Sequence, residues 1–212
     1  RSALVQLHVG LARFWAGERG ALAAWREARD VEPDTPYAVR AGDLLHAEFA
    51  PGLPLFQPAT PLGPPLEGTP ARRQFELLRK AARVGSDGRT GLVNRLYYGL
   101  VLQRLGRPVS ARRVYAAAAK AYPDDVEALV ADAVGRYSKE SPVQAFSRLG
   151  PLSRRFPDAA TVRFHLGLLL LWQGDVAPAT KQLRQARSAQ PGSRIAHEAE
   201  RYLTELAKAR TG

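Results

Sequence analysis

Three prolines recur at a constant interval along the chain, at Pro123, Pro157 and Pro191. Other positions keep the same spacing: Ala111, Ala145 and Ala179; Tyr115, Leu149 and Leu183; Gly99, Ala133 and Gly167. A fixed period of about 34 residues indicates helix–turn–helix units that each bury one face on their neighbours. The chain is therefore expected to present a surface built by repetition, which favours a binding role over catalysis.

Each period contains two apolar runs of helical length separated by a short break. The clearest example is residues 94–106 followed by residues 108–123. Gly106 and Gly174 stand where first helices should end, because glycine adopts the left-handed conformation that closes a helix. Pro108 lies where a second helix should begin, since the first turn needs no N–H from it. In the next unit Gly150 and Pro151 stand inside the second run, and we expect the proline to kink or split that helix.

These features resemble the tetratricopeptide repeat (TPR) family. The resemblance is carried by the small residue of the first helix, with Leu166 and Gly167 as a Leu–Gly pair, and by the alanine, large residue and proline of the second helix. It covers residues 92–191 and extends backward to residues 8–33. It implies an all-α, TPR-like helix–turn–helix solenoid of about four repeats with a C-terminal capping helix.

The resemblance also implies a single domain over residues 1–212. The repeated segments are placed at about residues 3–34, 35–90, 92–124, 126–158 and 160–192, followed by a C-terminal helix at residues 193–210.

One segment interrupts the pattern, and we call residues 47–70 the insertion. It lies between two helical patterns, residues 36–46 and 71–84, that we expect to pair as one unit. The insertion contains seven prolines together with apolar residues: Phe49, Leu53, Leu55, Phe56, Leu62 and Leu66. Prolines favour extended chain, and a disordered linker contains fewer large apolar residues. We therefore expect residues 50–68 to lie against the solenoid and cover part of its groove, as a peptide ligand does.

In TPR proteins the first helices line a concave groove that binds partners. Counting from the small residue of each unit, the resemblance predicts a set of partner-binding residues that is mostly apolar and aromatic: Phe14, Trp15, Leu100, Gln103, Arg104, Tyr137, Phe164, Leu168 and Trp172. Such a groove suits a hydrophobic or proline-rich peptide. The alternative is that first helices pack on one another, so that the leucines belong to the core.

The charge is unevenly distributed along the chain. Residues 1–70 hold 6 Lys/Arg and 8 Asp/Glu, whereas residues 71–212 hold 25 and 12, within a net charge of +11. Much of the excess lies on second helices, which form the convex face in TPR proteins. This face is either a solvated surface or a contact for an acidic partner, an anionic membrane or RNA.

No pattern in the sequence indicates catalysis or a cofactor. The chain has no cysteine, and its four histidines are scattered without metal-ligand spacing. We therefore expect no enzyme activity, no metal and no cofactor. No apolar stretch is long enough for a membrane-spanning helix, so we expect no membrane span, and the compartment stays open. Because the chain begins with Arg1, we expect it to be part of a longer polypeptide.

The sequence predicts a non-catalytic protein–protein interaction scaffold that binds a peptide or partner protein through the apolar groove. Three alternatives remain open. In the first alternative, the protein is an assembly module whose groove is filled by its own insertion or by a second copy through self-association. In the second, it is a basic adaptor for RNA or an anionic membrane. In the third, it is an accessory domain of a larger protein.

Overall fold

The computed structural model describes residues 2–62, 69–83 and 88–209, and within them every regular element is an α-helix. The eleven helices of these residues are α1 Ala3–Trp15, α2 Ala21–Val31, α3 Pro36–Leu45, α4 Ala71–Arg83, α5 Gly88–Arg104, α6 Pro108–Ala121, α7 Val126–Gly135, α8 Val143–Arg155, α9 Ala160–Trp172, α10 Val176–Ala189 and α11 Arg194–Ala209. The expected all-α class is confirmed.

Successive helices stack as antiparallel pairs. Four pairs pack internally, α1 with α2, α5 with α6, α7 with α8 and α9 with α10, and each second helix also contacts the helix that follows it. The first helices α7 and α9 contact each other as well, and α11 packs on α10 and α9 at the C-terminal end. This is the helical solenoid with a capping helix that the repeat predicts.

The helix ends follow from local sequence. Gly106 and Gly174 have φ of +69° and +82°, so each occupies the left-handed conformation that ends a first helix. Pro108 is in the first turn of α6. Asp125 caps α7 by accepting a 3.0 Å hydrogen bond from the amide of Ala128.

The expected pairing of residues 36–46 with residues 71–84 is wrong, and of the two outcomes expected at Pro151, a kink or a split, the split does not occur. Helix α4 packs against α5 rather than against α3, so residues 36–46 and 71–84 do not form a helix pair. The insertion between them separates the two elements. Helix α8 is not split, because it continues through Pro151 from Val143 to Arg155. Pro151 and Ser147 are both exposed, so water can satisfy the Ser147 carbonyl that the proline leaves without a partner.

The turn between α2 and α3, together with α3 itself, contacts residues near the turns of later units. Asp34 accepts hydrogen bonds from the backbone amide and hydroxyl of Ser110, at 2.9 and 2.5 Å, at the start of α6. On α3, Asp43 pairs with the buried ammonium of Lys139 at 2.6 Å, just after α7. These contacts hold α3, and with it the start of the insertion, against the later units.

Gly99 provides a test of this packing. A Cβ atom at Gly99 meets the ring of Tyr115 at 2.2 Å, whereas one at Gly150 meets nothing within 4 Å. We expect Gly99→Ala to lower the free energy of unfolding by roughly 1–3 kcal/mol through overpacking. The matched change Gly150→Ala should leave that free energy unchanged or raise it by up to about 1 kcal/mol. Urea unfolding of both variants checks this, and equal loss in both contradicts the packing.

Candidate peptide-binding site

Residues 50–62 of the insertion, here called the bound segment, lie along the first helices α5, α7 and α9. The segment begins where α9 ends, since the amide of Ala50 donates to the carbonyl of Trp172 at 3.0 Å. It finishes beside Glu127, in the first turn of α7. The segment therefore runs opposite in direction to the helices that hold it. It lies against the solenoid as expected, while residues 63–68 are outside the described residues.

The first contacts of the segment come from α5 and α9. The amide of Phe56 donates to Gln103 Oε1 at 3.0 Å, and Gln103 Nε2 donates back to the carbonyl of Pro54 at 3.3 Å. The amide of Gln57 donates to His165 Nε2 at 2.9 Å. Two helices thus bind adjacent residues of the same extended chain through their side chains.

A buried carboxylate holds the next part of the segment. Glu127 accepts from the amides of Ala59 and Thr60 at 2.9 and 3.3 Å and from the Thr60 hydroxyl at 2.7 Å. Arg89 donates to Glu127 and to Asp125, both at 2.5 Å, so the carboxylates are paired. Glu127 is 3% exposed, and its charge is compatible with burial because four donors surround it.

Tyr97 of α5 completes the set of contacts. Its hydroxyl donates to the carbonyl of Thr60 at 3.0 Å and accepts from the amide of Leu62 at 2.9 Å. Arg194 of α11 also donates to this hydroxyl. The capping helix is therefore joined to the bound segment through Tyr97.

Phe56 is the apolar anchor of the segment. Its side chain is 0% exposed. The ring stacks on His165 with centroids 5.1 Å apart and meets the edge of Tyr115 at 5.5 Å. Leu55 and Leu62 of the same segment pack on a different cluster, formed by α4 and α5. An anchor buried this completely contributes a few kcal/mol of hydrophobic stabilisation.

His165 is fixed in one neutral tautomer. Its Nδ1 lies 2.7 Å from the carbonyl of Thr161, which can only accept, so Nδ1 carries the hydrogen and Nε2 is the free acceptor for Gln57. Burial lowers the pKa of His165 to about 4, and the hydrogen bond to Thr161 opposes this only partly. The imidazole is therefore neutral near pH 7 and has both nitrogens engaged.

The comparison with known families bears on the helices that form this site. The tetratricopeptide repeat model matches residues 92–134, which comprise most of α5, all of α6 and most of α7. Residues 92–134 therefore contain a tetratricopeptide repeat. No curated protein and no solved structure gives a match. Tetratricopeptide repeats generally mediate protein–protein interaction, and the family typically serves as non-enzymatic scaffolding.

Three of the predicted partner-binding residues are buried, so their assignment to a partner surface is wrong. Leu100 packs in a buried cluster with Leu78 of α4, and Phe164 and Leu168 pack in another with residues of α10 and α11. The alternative that first-helix apolar residues form core holds for them.

Tyr137 is also largely buried, in the cluster of buried residues that contains Phe56, but it lines a cavity with Leu53 of the bound segment. Its role in partner binding stays a prediction. Burial raises the pKa of Tyr137 to about 12.

Three other predicted residues do come together. Gln103, Arg104 and Trp172 line one cleft of about 670 Å³, with Leu53 of the bound segment and Tyr202 of α11. Gln103 contacts the segment directly, Arg104 is exposed, and Trp172 is half-buried. This cleft lies at the C-terminal ends of α5 and α9, between them, α3 and the start of the bound segment.

Phe14 and Trp15 lie apart from this cleft, at the end of α1. They are 61% and 79% exposed. Their role in partner binding stays a prediction.

The residues that hold the segment were mostly not predicted from the sequence. His165, Glu127 and Tyr97 each carry a polar group within an apolar first helix, in runs such as FHLGLLLLW for His165. The sequence offered one indication of these residues: each is a polar side chain at a position where a buried helix normally has an apolar one. That indication could be interpreted only with knowledge of which chain segment supplies the hydrogen-bond partners of these side chains.

Other site types find no support in the described part of the chain. Those residues contain no group of three or more His, Cys, Asp or Glu able to hold a metal ion. Among the same residues, no helix combines the length and apolar character needed to cross a membrane. The basic side chains of α6, α8 and α10 are exposed, and Arg148, Arg155 and Arg187 each pair with a carboxylate.

The buried imidazole predicts a pH dependence. The unfolded chain binds a proton on His165 near its ordinary pKa of 6.5, whereas the folded protein binds one only near pH 4. The stability linked to the neutral imidazole is therefore fully present above pH 6.5. It is lost as the pH falls toward 4, by up to about 1.4 kcal/mol per pH unit.

The measurement is urea unfolding between pH 7.5 and 4.5. His165→Gln should have a shallower loss of stability with acid than the wild type, while the exposed control His197→Gln should keep the wild-type slope. Equal slopes for wild type and His165→Gln contradict a buried neutral His165.

Proposed function

We propose that this protein is a non-catalytic interaction module that binds an extended peptide from a partner protein. The peptide binds the surface of α5, α7 and α9 that contacts residues 50–62, here called the first-helix surface. In the resting chain that surface is occupied by the protein's own residues 50–62. A partner segment binds by displacing them. The insertion is thus an internal ligand that controls access to the site.

The supporting observation is that side chains of the helices form hydrogen bonds with the backbone of the segment. Every residue between 56 and 62 that has a backbone N–H donates it to a side chain of α5, α7 or α9. Contacts to backbone groups do not depend on the identity of most side chains. A segment of another protein with a suitable anchor in place of Phe56 can therefore make the same bonds.

Tethering explains why the site is occupied in the chain by itself. A short linker gives a tethered ligand an effective concentration of about the millimolar range. A partner must therefore bind with higher affinity than the insertion or be present at high local concentration. Filling of the site by a second copy is disfavoured for the same reason.

The arrangement also supports a role without catalysis. His165 is the buried imidazole of the site, and its two nitrogens are engaged by Thr161 and Gln57. Glu127 is engaged by the segment and by Arg89. Both groups serve as hydrogen-bond acceptors for a peptide rather than as free acids or bases.

The test compares the wild type with a variant whose residues 54–62 are replaced by nine Gly and Ser residues. The probe is a fluorescent peptide with the sequence of residues 49–62. We expect this peptide to bind the replaced variant at least about tenfold more tightly than the wild type, because the internal competitor is gone. A peptide carrying Phe56→Ala should lose most of its affinity, since anchor residues typically contribute about 2 kcal/mol or more.

Circular dichroism establishes that the replaced variant is folded. If it is not, the full chain with Phe56→Ala serves as the protein with a weakened internal ligand. Equal binding to wild type and variant, or no binding to either folded variant, contradicts the proposal.

A second candidate surface is the end of α1. Trp15 and Phe14 are exposed there, together with Leu22 at the start of α2, and aromatic residues of this size are uncommon on a free surface. The same titration separates the two surfaces. Trp15→Ser in the replaced variant leaves peptide affinity unchanged if the first-helix surface binds, and reduces it if α1 binds.

A further inference from the structure

We infer that the first-helix surface selects partner segments by the register of their prolines. The preferred segment has an aromatic anchor followed by proline at the second and fifth positions after it, the pattern of Phe56, Pro58 and Pro61. This inference rests on the proposed function, since it names the class of peptide that the same site accepts.

The register follows from the hydrogen bonds of the segment. Phe56, Gln57, Ala59, Thr60 and Leu62 each donate their N–H to a helix side chain. The two remaining residues of this stretch are prolines, which have no N–H to donate. Each N–H between residues 56 and 62 therefore has an acceptor on the helices, and the two residues that have no such acceptor are the two that have no N–H.

The acceptors require a residue with a backbone N–H at each position that they contact. His165 and Glu127 are buried, so an acceptor that loses its donor cannot be satisfied by water at no cost. A proline in place of Gln57 leaves His165 Nε2 facing a ring carbon. His165 and Glu127 are thus specificity-determining residues that exclude proline at the positions they contact.

The proline positions are not equivalent. Pro58 is buried, so any other residue there adds an N–H that is shielded from water and loses stability unless a protein acceptor is found. Pro61 is exposed, so an N–H at that position can bond to water. Both prolines also restrict the preceding residue to extended conformations, which prepares the segment for binding.

The decisive experiment uses the full chain and a thiol reporter. Because the protein has no cysteine, Leu55→Cys places a single thiol on the partly buried part of the segment. The rate of labelling by a thiol reagent then measures release of the segment. Gln57→Pro, Pro58→Ala and Pro61→Ala are compared in this background.

We expect Gln57→Pro to raise the labelling rate by about tenfold or more, Pro58→Ala several-fold, and Pro61→Ala by less than about twofold. Gln57→Pro also changes backbone freedom, and His165→Phe separates that effect from the lost hydrogen bond. In the His165→Phe background the penalty of Gln57→Pro should shrink, because the acceptor is gone. Equal rates in the three variants, or an undiminished penalty with His165→Phe, overturn the inference.

Peptide binding to the replaced variant distinguishes the inference from the proposed function. If the parent peptide binds but its Gln57→Pro and Pro58→Ala forms bind equally well, proline selection is wrong and peptide binding stands. If the parent peptide does not bind, the proposed function is wrong, while the labelling rates still decide whether the site imposes a proline register.

Discussion

The structure depends on satisfying the backbone of an extended segment that is packed against helices. Such a segment has no neighbouring strand, so its amides must find acceptors among side chains or lose stability on burial. Gln103, His165, Glu127 and Tyr97 provide those acceptors, and two prolines reduce the number required. The otherwise apolar first helices are thereby adapted to hold a peptide.

The same contacts join the repeats to one another. The segment is bonded to α5, α7 and α9, and Tyr97 also joins α11 to it. In a solenoid each unit normally contacts only its immediate neighbours, so stability is close to a sum of local terms. Here Phe56 belongs to the same cluster of buried residues as Tyr115 of α6 and Leu149 of α8. Release of the segment should therefore reduce cooperativity across several units, and a partner that replaces it should restore that cooperativity.

The repeat was predictable from the sequence because packing between helices requires particular residue sizes at fixed intervals. Gly99 and Gly167 lie against Tyr115 and Leu183, the large residues that share their period. The position of the insertion was predictable in outline, since it combines prolines with apolar residues. The pairing of α4 was not, because α3 docks on the turns after α5 and α7 through contacts far apart in sequence, such as Asp34 with Ser110. Leu100 is buried in a cluster with Leu78 of α4, on which Leu55 and Leu62 of the insertion also pack, and the repeat pattern does not specify that packing. The roles of His165 and Glu127 depend on the path of another segment, which local pattern does not specify.

The central claim is that the amides of residues 56–62 are hydrogen-bonded to the first helices in the free protein. Residue-resolved amide hydrogen exchange measured by NMR tests it most directly. The account predicts that Phe56, Gln57, Ala59, Thr60 and Leu62 exchange orders of magnitude more slowly than an unstructured chain, within the range of the amides of α7 and α9. Exchange of these five amides at the rate of a free loop, beside protected helices, would contradict it.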